Sequence, residues 1–285
     1  IGAVDAIPLV VDAIKDLDSL STIYQVDTDQ YFSVHADTRF GSRSHLSQEQ
    51  MISIFSERGG DPDRLGKKDP LDCLVWMSQR PNEPGWNSSL GVGRPGWHIE
   101  CTAIALEYLD PSDGDSTLID IQGGGSDLIF PHHEMCAAQA HLLTGKELAS
   151  SYVHTGMIGL DGEKMSKSKG NLVFVSRLVA AGTDPMAIRI ALMSDHYRHD
   201  RMWSQGLLEK AENQLAQIRK AVEASNAAPT DIVIQKIIEA LSEDLNTPKV
   251  LSILADWSSE TLNGATGGTT NELRDALDSL LGLLL

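Results

Sequence analysis

Cysteine is scarce: three residues in 285, Cys73, Cys101 and Cys136, are too few and too scattered for a disulfide framework. A reducing compartment is therefore expected, with the cytoplasm as the location and the thiols left for packing or metal. Cations are also short, with 23 Lys and Arg against 40 Asp and Glu and a formal net charge of -17. Such a chain repels phosphate backbones at long range, and no Lys/Arg-rich stripe offsets this, so nucleic acid is a disfavoured partner. No run of about 18 apolar residues occurs, which argues against a membrane span. The chain opens on Ile1 without a basic-then-apolar leader, so no secretory signal is expected and an upstream segment is expected to be missing. What is present is an apolar fraction of 41%, that of an ordinary soluble protein with one large core or two modest ones.

Periodicity predicts a helix over residues 2–20, from Val4, Ile7, Val10, Val11, Ile14 and Leu17, and then a short strand from Tyr31 to His35. A second helix is expected over residues 46–55, with Ser47 as N-cap, ending in the loop Glu57-Arg58-Gly59-Gly60-Asp61-Pro62. Residues 80–96, rich in proline and glycine, read as turn and loop that deliver the chain to a helix from Trp97 through Tyr108. Leu118 to Gln122 reads as a strand, Gly123-Gly124-Gly125-Ser126-Asp127 as a turn, and Pro131 as the opening of a helix toward Thr144. Strand, glycine turn and helix make the pattern of an α/β nucleotide site. Tyr152 to Ile158 reads as a further strand, followed by a Gly/Lys/Ser loop over 162–170. Beyond Asn171 the pattern is helical, with breaks near Pro229 and over 264–270.

Three clusters could carry chemistry. Cys101 with His132-His133-Glu134-Met135-Cys136 supplies soft and borderline ligands of the kind zinc takes, and His132 and Cys136, four apart, would share one helix face. The alternative is a core cysteine with histidines at a helix start. The triple glycine lets backbone N–H groups approach a nucleotide while Asp127 accepts ribose hydroxyls; the alternative is a flexible turn that caps a helix. Lys164, Lys167 and Lys169, bracketed by Gly162 and Gly170, could close on polyphosphate and stabilise a departing pyrophosphate; the alternative is a solvated basic turn.

The string Lys164-Met165-Ser166-Lys167-Ser168 resembles the second signature of the class I aminoacyl-tRNA synthetases. Gly96-Trp97-His98-Ile99-Glu100-Cys101 and the run from Gly123 to Glu134 are similar to the cysteinyl branch of that family. Three motifs in the right order are strongly specific. Within that branch the chain is most similar to the mycothiol-pathway cysteine ligases, through residues 57–62, which resemble their substrate-region motif, and residues 154–159. The tail beyond Asn171 carries 10 Lys/Arg against 15 Asp/Glu, where a tRNA synthetase would be expected to add a larger anticodon-contacting domain.

The resemblance implies a Rossmann-like α/β nucleotide-binding domain of the class I synthetase type with a small C-terminal α-helical domain. Its parts would be a connective region over 1–90, the second catalytic half with the lysine loop over 91–175, and helices over 176–285. It implies an ATP-dependent, AMP-forming ligase that activates L-cysteine and passes it to glucosaminyl-inositol, with zinc as cofactor and Mg²⁺ accompanying ATP. The chain is expected to act as a monomer without membrane or nucleic acid. Cys101 and His132 match zinc ligands, Trp97 the aromatic residue near bound cysteine, and Gly125, Ser126 and Asp127 adenylate contacts. Ile158 matches a backbone contact to adenine, and Lys164 and Lys167 the lysines of the phosphoryl centre. Two departures stand out: Cys136 replaces a glutamate ligand, and residues 110–117 look like a surface insertion. The family's first zinc cysteine and its His-Ile-Gly-His signature would lie upstream, so this stretch alone is expected to be inactive. His196-Tyr197-Arg198-His199 does not stand in for that signature and reads as part of a helical stretch. The rival readings are a cysteinyl-tRNA synthetase and a non-catalytic paralogue that binds a nucleotide or partner.

Overall fold

In the computed structural model, which describes residues 1–109, 117–166 and 169–285, the first helix (α1, Ile7–Ser19) starts later than periodicity predicts. Pro8 is the reason. Its ring fits only in a first turn, and Val4, ahead of it, is exposed. Ile7, Val10, Val11, Ile14 and Leu17 form the buried stripe, each worth about 1.5–3 kcal/mol of burial. The expected insertion over 110–117 falls, except for Thr117, outside the described residues, as does Lys167.

Two compact units emerge, Ile1–His154 and Thr155–Leu285. The first contains a four-stranded antiparallel sheet in the order β1 (Ile23–Val26), β2 (Asp29–Phe32), β3 (Cys73–Ser78), β4 (Gly93–Pro95). Strands β1 and β2 form a hairpin around Asp27 and Thr28, with Asp27 at φ 54°. The strand expected to reach His35 stops at Phe32, because Val34–Ala36 turns into a 3₁₀ helix. Helix α2 (Gln48–Glu57) begins at Ser47 as predicted: Ser47 Oγ accepts from the Gln50 amide, and Gln50 Oε1 accepts from the Ser47 amide. Helix α3 (Trp97–Leu109) packs on α1 and on α4 (Glu134–Thr144), and Phe32, Trp76, Ile99, Phe130 and Met135 are fully buried between these elements. Strands β5 (Thr117–Gly125) and β6 (Glu147–Thr155) form a second sheet.

The second unit opens with β7 (Ile158–Leu160) and β8 (Glu163–Lys164), joined by Asp161-Gly162 with both residues at positive φ. This is the Asp-Gly pair that a two-residue hairpin demands. Helices α5 (Val175–Ala180) and α6 (Pro185–Met193) follow, then β9 (Arg201–Trp203), which pairs in parallel with β7. Residues 196–199 lie between α6 and β9 in turns, so the helical reading of His196 to His199 is corrected. There Tyr197 O accepts from the Gly156 amide, and Arg198 pairs with Asp244. Helices α7 (Gln205–Val222), α8 (Asp231–Ser242), α9 (Thr247–Leu262) and α10 (Asn271–Leu281) build a bundle around Leu215, Ile237, Leu254, Trp257 and Leu277.

Candidate active site

The glycine run is not itself the turn. Gly123, Gly124 and Gly125 finish β5, and the chain turns only at Ser126–Leu128, a single 3₁₀ turn. At Gly124 a Cβ would meet Leu128 Cδ1 at 2.9 Å and His133 Cε1 at 3.0 Å, so a side chain there would have to displace these two. The helix expected from Pro131 begins only at Glu134. Residues 129–133 form a kinked wide turn with Phe130 extended at φ -143°, ψ 138°. Such a segment lacks regular backbone partners, and Arg58 supplies two: its Nη1 donates to the carbonyl oxygens of Asp127 and Phe130.

This irregular turn places His132 against α3. The Trp97 ring lies 4.3 Å from the His132 ring at an interplanar angle of 23°, while Trp97 itself is 52% exposed. His98 Nδ1 and His132 Nδ1 are 3.0 Å apart. One must donate and the other accept, so a ligand on His132 Nε2 would fix the His132 proton on Nδ1 and the His98 proton on Nε2. Burial lowers the His132 pKa to about 4, and burial together with His132 lowers that of His98 to about 3, so both rings are neutral near pH 7. His133, also pushed to about 4 by burial, bonds through Nδ1 to His154 Nε2 at 2.7 Å.

Cys136 Sγ lies 3.9 Å from His132 Nε2, so the two approach each other although His132 precedes the helix on which a shared face was expected. Burial pushes the Cys136 thiol up to about 12 and raises that of half-buried Cys101, which is close enough to disfavour ionisation of Cys136. Protonated thiols and neutral imidazole fit a soft or borderline metal whose binding displaces the thiol protons. Among the described residues, no group of three His, Cys, Asp or Glu side chains is arranged to hold a metal. The donor chemistry fits zinc, and Cys101, His132 and Cys136 are its candidates.

Glu134 starts α4 fully buried and accepts from the amides of Gly41 (2.8 Å) and Ser44 (2.7 Å), with Arg43 beside it at 3.4 Å. Sequence reasoning assigned Glu134 no such role. Its donors lie 90 and 93 residues upstream, so no short window of sequence signals the role.

The 57–62 loop has a local logic. Gly59, at φ +87°, ends α2 in a Schellman motif, with the Gly60 amide on Phe55 O at 2.8 Å and the Gly59 amide on Ser56 O. Asp61 accepts from Tyr31 Oη and from Lys67 Nζ (3.0 Å), which ties the loop to β2. Glu57 bonds to Ser53 on its own helix, and Pro62 is half-buried.

In the second unit Ile158 starts β7 opposite Arg201, and Lys164 lies on β8 opposite Gly159. Asn171 staples the start of the lysine loop, its Oδ1 accepting from the Ser166 amide (2.9 Å) and its Nδ2 donating to Lys164 O (3.3 Å). Lys169 pairs with Glu163 at 2.8 Å.

A family profile described as tRNA synthetases class I (C) catalytic domain matches residues 2–213. The L-cysteine:1D-myo-inositol 2-amino-2-deoxy-alpha-D-glucopyranoside ligase of Saccharomonospora viridis is 50% identical over 295 residues, covering 100% of this chain and 70% of that protein. The ligase of the same name from Thermomonospora curvata is 49% identical over 289 residues, covering 100% of this chain and 68% of that one. Mycobacterium tuberculosis methionyl-tRNA synthetase in complex with methionyl-adenylate superposes with a TM-score of 0.58 at 15% identity, over 91% of this chain and 64% of that chain. At that identity the likeness speaks for the fold alone, the α/β architecture of class I synthetases.

Proposed function

The chain belongs to the class I tRNA synthetase (C) catalytic-domain family, and from that premise we propose an ATP-dependent, AMP-forming ligase that activates L-cysteine and joins it to the amine of glucosaminyl-inositol. The observation that carries this reading is identity of about half, across 100% of the chain, with relatives named for that reaction.

Cysteine and serine differ by one atom, and an apolar pocket separates such isosteres by only about 10- to 200-fold. Cys101 and His132 would hold a zinc ion, with Cys136 as a further candidate, and bound zinc supplies a soft site that a substrate thiolate fills and a hydroxyl does not. His132, neutral through burial, has a nitrogen lone pair to give, and Trp97 covers its ring. Gly125, Ser126 and Asp127 would contact the adenylate, with Arg58 fixing the carbonyls around Asp127. Ile158 offers backbone to adenine, and Lys164 and Lys167 offer ammonium groups to phosphate; Mg²⁺ accompanying ATP neutralises further charge on the triphosphate.

In the first half-reaction a cysteine carboxylate oxygen attacks the α-phosphorus in line and pyrophosphate leaves. In the second the amine nitrogen attacks the acyl carbon. The C–N bond forms, the C–O bond to AMP breaks with its electron pair going to AMP, and the amine loses a proton.

The net charge of -17, and 10 Lys/Arg against 15 Asp/Glu beyond residue 170, speak against tRNA as acceptor. No helix among the described residues is long and apolar enough to cross a membrane, and the small, water-soluble substrates suit the cytoplasm. AMP release by the full-length protein tests the reading. It should require both cysteine and the aminosugar and ignore tRNA; release that needs tRNA and ignores the aminosugar overturns it.

A further inference from the structure

Four residues of the 57–62 loop, Arg58, Gly59, Gly60 and Asp61, line a cavity of about 330 Å³ that lies wholly within the first unit. We propose that this cavity is the acceptor subsite, holding the aminosugar as a polyol with its amine directed toward Trp97. The assignment rests on the ligase reading and says where the second substrate binds.

Position supports it first. Trp97, His98 and Pro131 form one wall, and Trp97 stacks on His132, the residue proposed to hold the ion that takes the cysteine sulfur. An amine that attacks the cysteinyl carbonyl has to come from a space bordering that side chain, and this cavity does. Its volume falls in the range of small-molecule sites. Gly60 and Gly96 keep it concave: a Cβ on Gly60 would strike the Phe55 ring, and one on Gly96 would strike the Leu74 carbonyl.

The lining has the chemistry of polyol recognition. A sugar ring presents an apolar C–H face and a rim of hydroxyls, and the half-exposed Trp97 indole offers a flat surface to the first. For the hydroxyls there is Asp61, whose carboxylate is oriented by Tyr31 and Lys67 yet 39% exposed, and the Arg94 guanidinium, which among the described residues pairs at 3.7 Å with Glu83. The charge balance is unusual for so acidic a chain: Arg58, Arg64 and Arg94 face one carboxylate, Asp61. Arg64 is answered by Asp29 at 2.7 Å, whereas Arg58 bonds, among the described residues, to carbonyl oxygens. The excess of cation disfavours an ammonium ion and favours the neutral amine that the second half-reaction needs.

Two assays on the full-length protein separate this subsite from the rest. Cysteine-dependent ATP–pyrophosphate exchange reports the first half-reaction and needs no acceptor; AMP release with glucosaminyl-inositol reports both. Arg94→Ala and the cavity-filling Met77→Trp should leave exchange within about twofold while raising the aminosugar KM about tenfold or more. Asp61→Asn should raise the same KM. If exchange falls in step with AMP release, or if cysteine KM moves instead, the cavity does not serve the acceptor and the assignment fails. An unmoved aminosugar KM overturns it as well, while the ligase reading stands. A wild-type protein that performs exchange but never turns over the aminosugar overturns the ligase reading and this subsite with it.

Discussion

Arg58 Nη1 donates to the backbone carbonyl oxygen of Asp127 at 2.5 Å and also to that of Phe130, so the end of α2 holds the irregular turn between β5 and α4. Removing the guanidinium leaves two carbonyls without that partner and lets the turn relax. Arg58→Ala is expected to lower cysteine-dependent pyrophosphate exchange by about ten- to a hundredfold. Arg58→Lys should be intermediate, because both bonds come from the one nitrogen Nη1, and an ammonium can donate two but lacks the planar guanidinium that aims them. Exchange that survives Arg58→Ala unchanged would show that the turn needs no such tie.

Cys101→Ser should lower zinc content, measured by elemental analysis of the purified full-length protein, since a hydroxyl is a poor zinc ligand. Cys136→Ala asks a sharper question. Its sulfur is 3.9 Å from His132 Nε2, so if it binds metal the zinc affinity drops, and if it only packs the zinc stays. Full zinc occupancy in Cys101→Ser would remove that residue from the site.

Glu134 is fully buried with two amide donors and the Arg43 guanidinium. Glu134→Ala strands those groups and should cost about 3–5 kcal/mol, read from urea unfolding. Glu134→Gln should cost less, because one oxygen still accepts. A loss under about 1 kcal/mol in Glu134→Ala would mean that water takes over the carboxylate's role.

Asp184 caps α6 and pairs with Arg219 at 2.5 Å; that hydrogen bond holds its pKa below the usual carboxylate value. A depressed folded pKa contributes stability above the unfolded value, and the contribution is lost as pH falls through the folded one. Asp184→Asn keeps the cap and loses the ion pair. At pH 7 it should be less stable by about 0.5 kcal/mol, discounted because both side chains are over one-third exposed, and the gap should close as pH falls below the usual carboxylate range. A gap that persists in acid would assign the loss to the cap instead.

Helix positions were legible wherever a local signal was strong. Ser47 as N-cap announced α2, and Trp97 through Tyr108 announced α3. The hairpin β1–β2 was harder to see, because Asp27 and Asp29 interrupt the apolar pattern and buried Asp29 is satisfied by long-range bonds from Arg64, Arg80 and the Ser78 amide. Asp161-Gly162 was a readable turn signal inside what looked like a loop. The start of α4 was misplaced because Pro131 is a common first helical residue, and nothing within a few positions reveals that Arg58, more than 70 residues back, props an irregular turn there. Short motifs named the candidate residues, while the approach of His132 to Trp97, His98 and Cys136 depends on contacts within the first unit that no short window contains.

Gly124 adds a practical point. A Cβ there would sit 2.9 Å from Leu128 Cδ1 and 3.0 Å from His133 Cε1, so an alanine has to push those side chains aside, and any change at the end of β5 is passed on to the ring of His133.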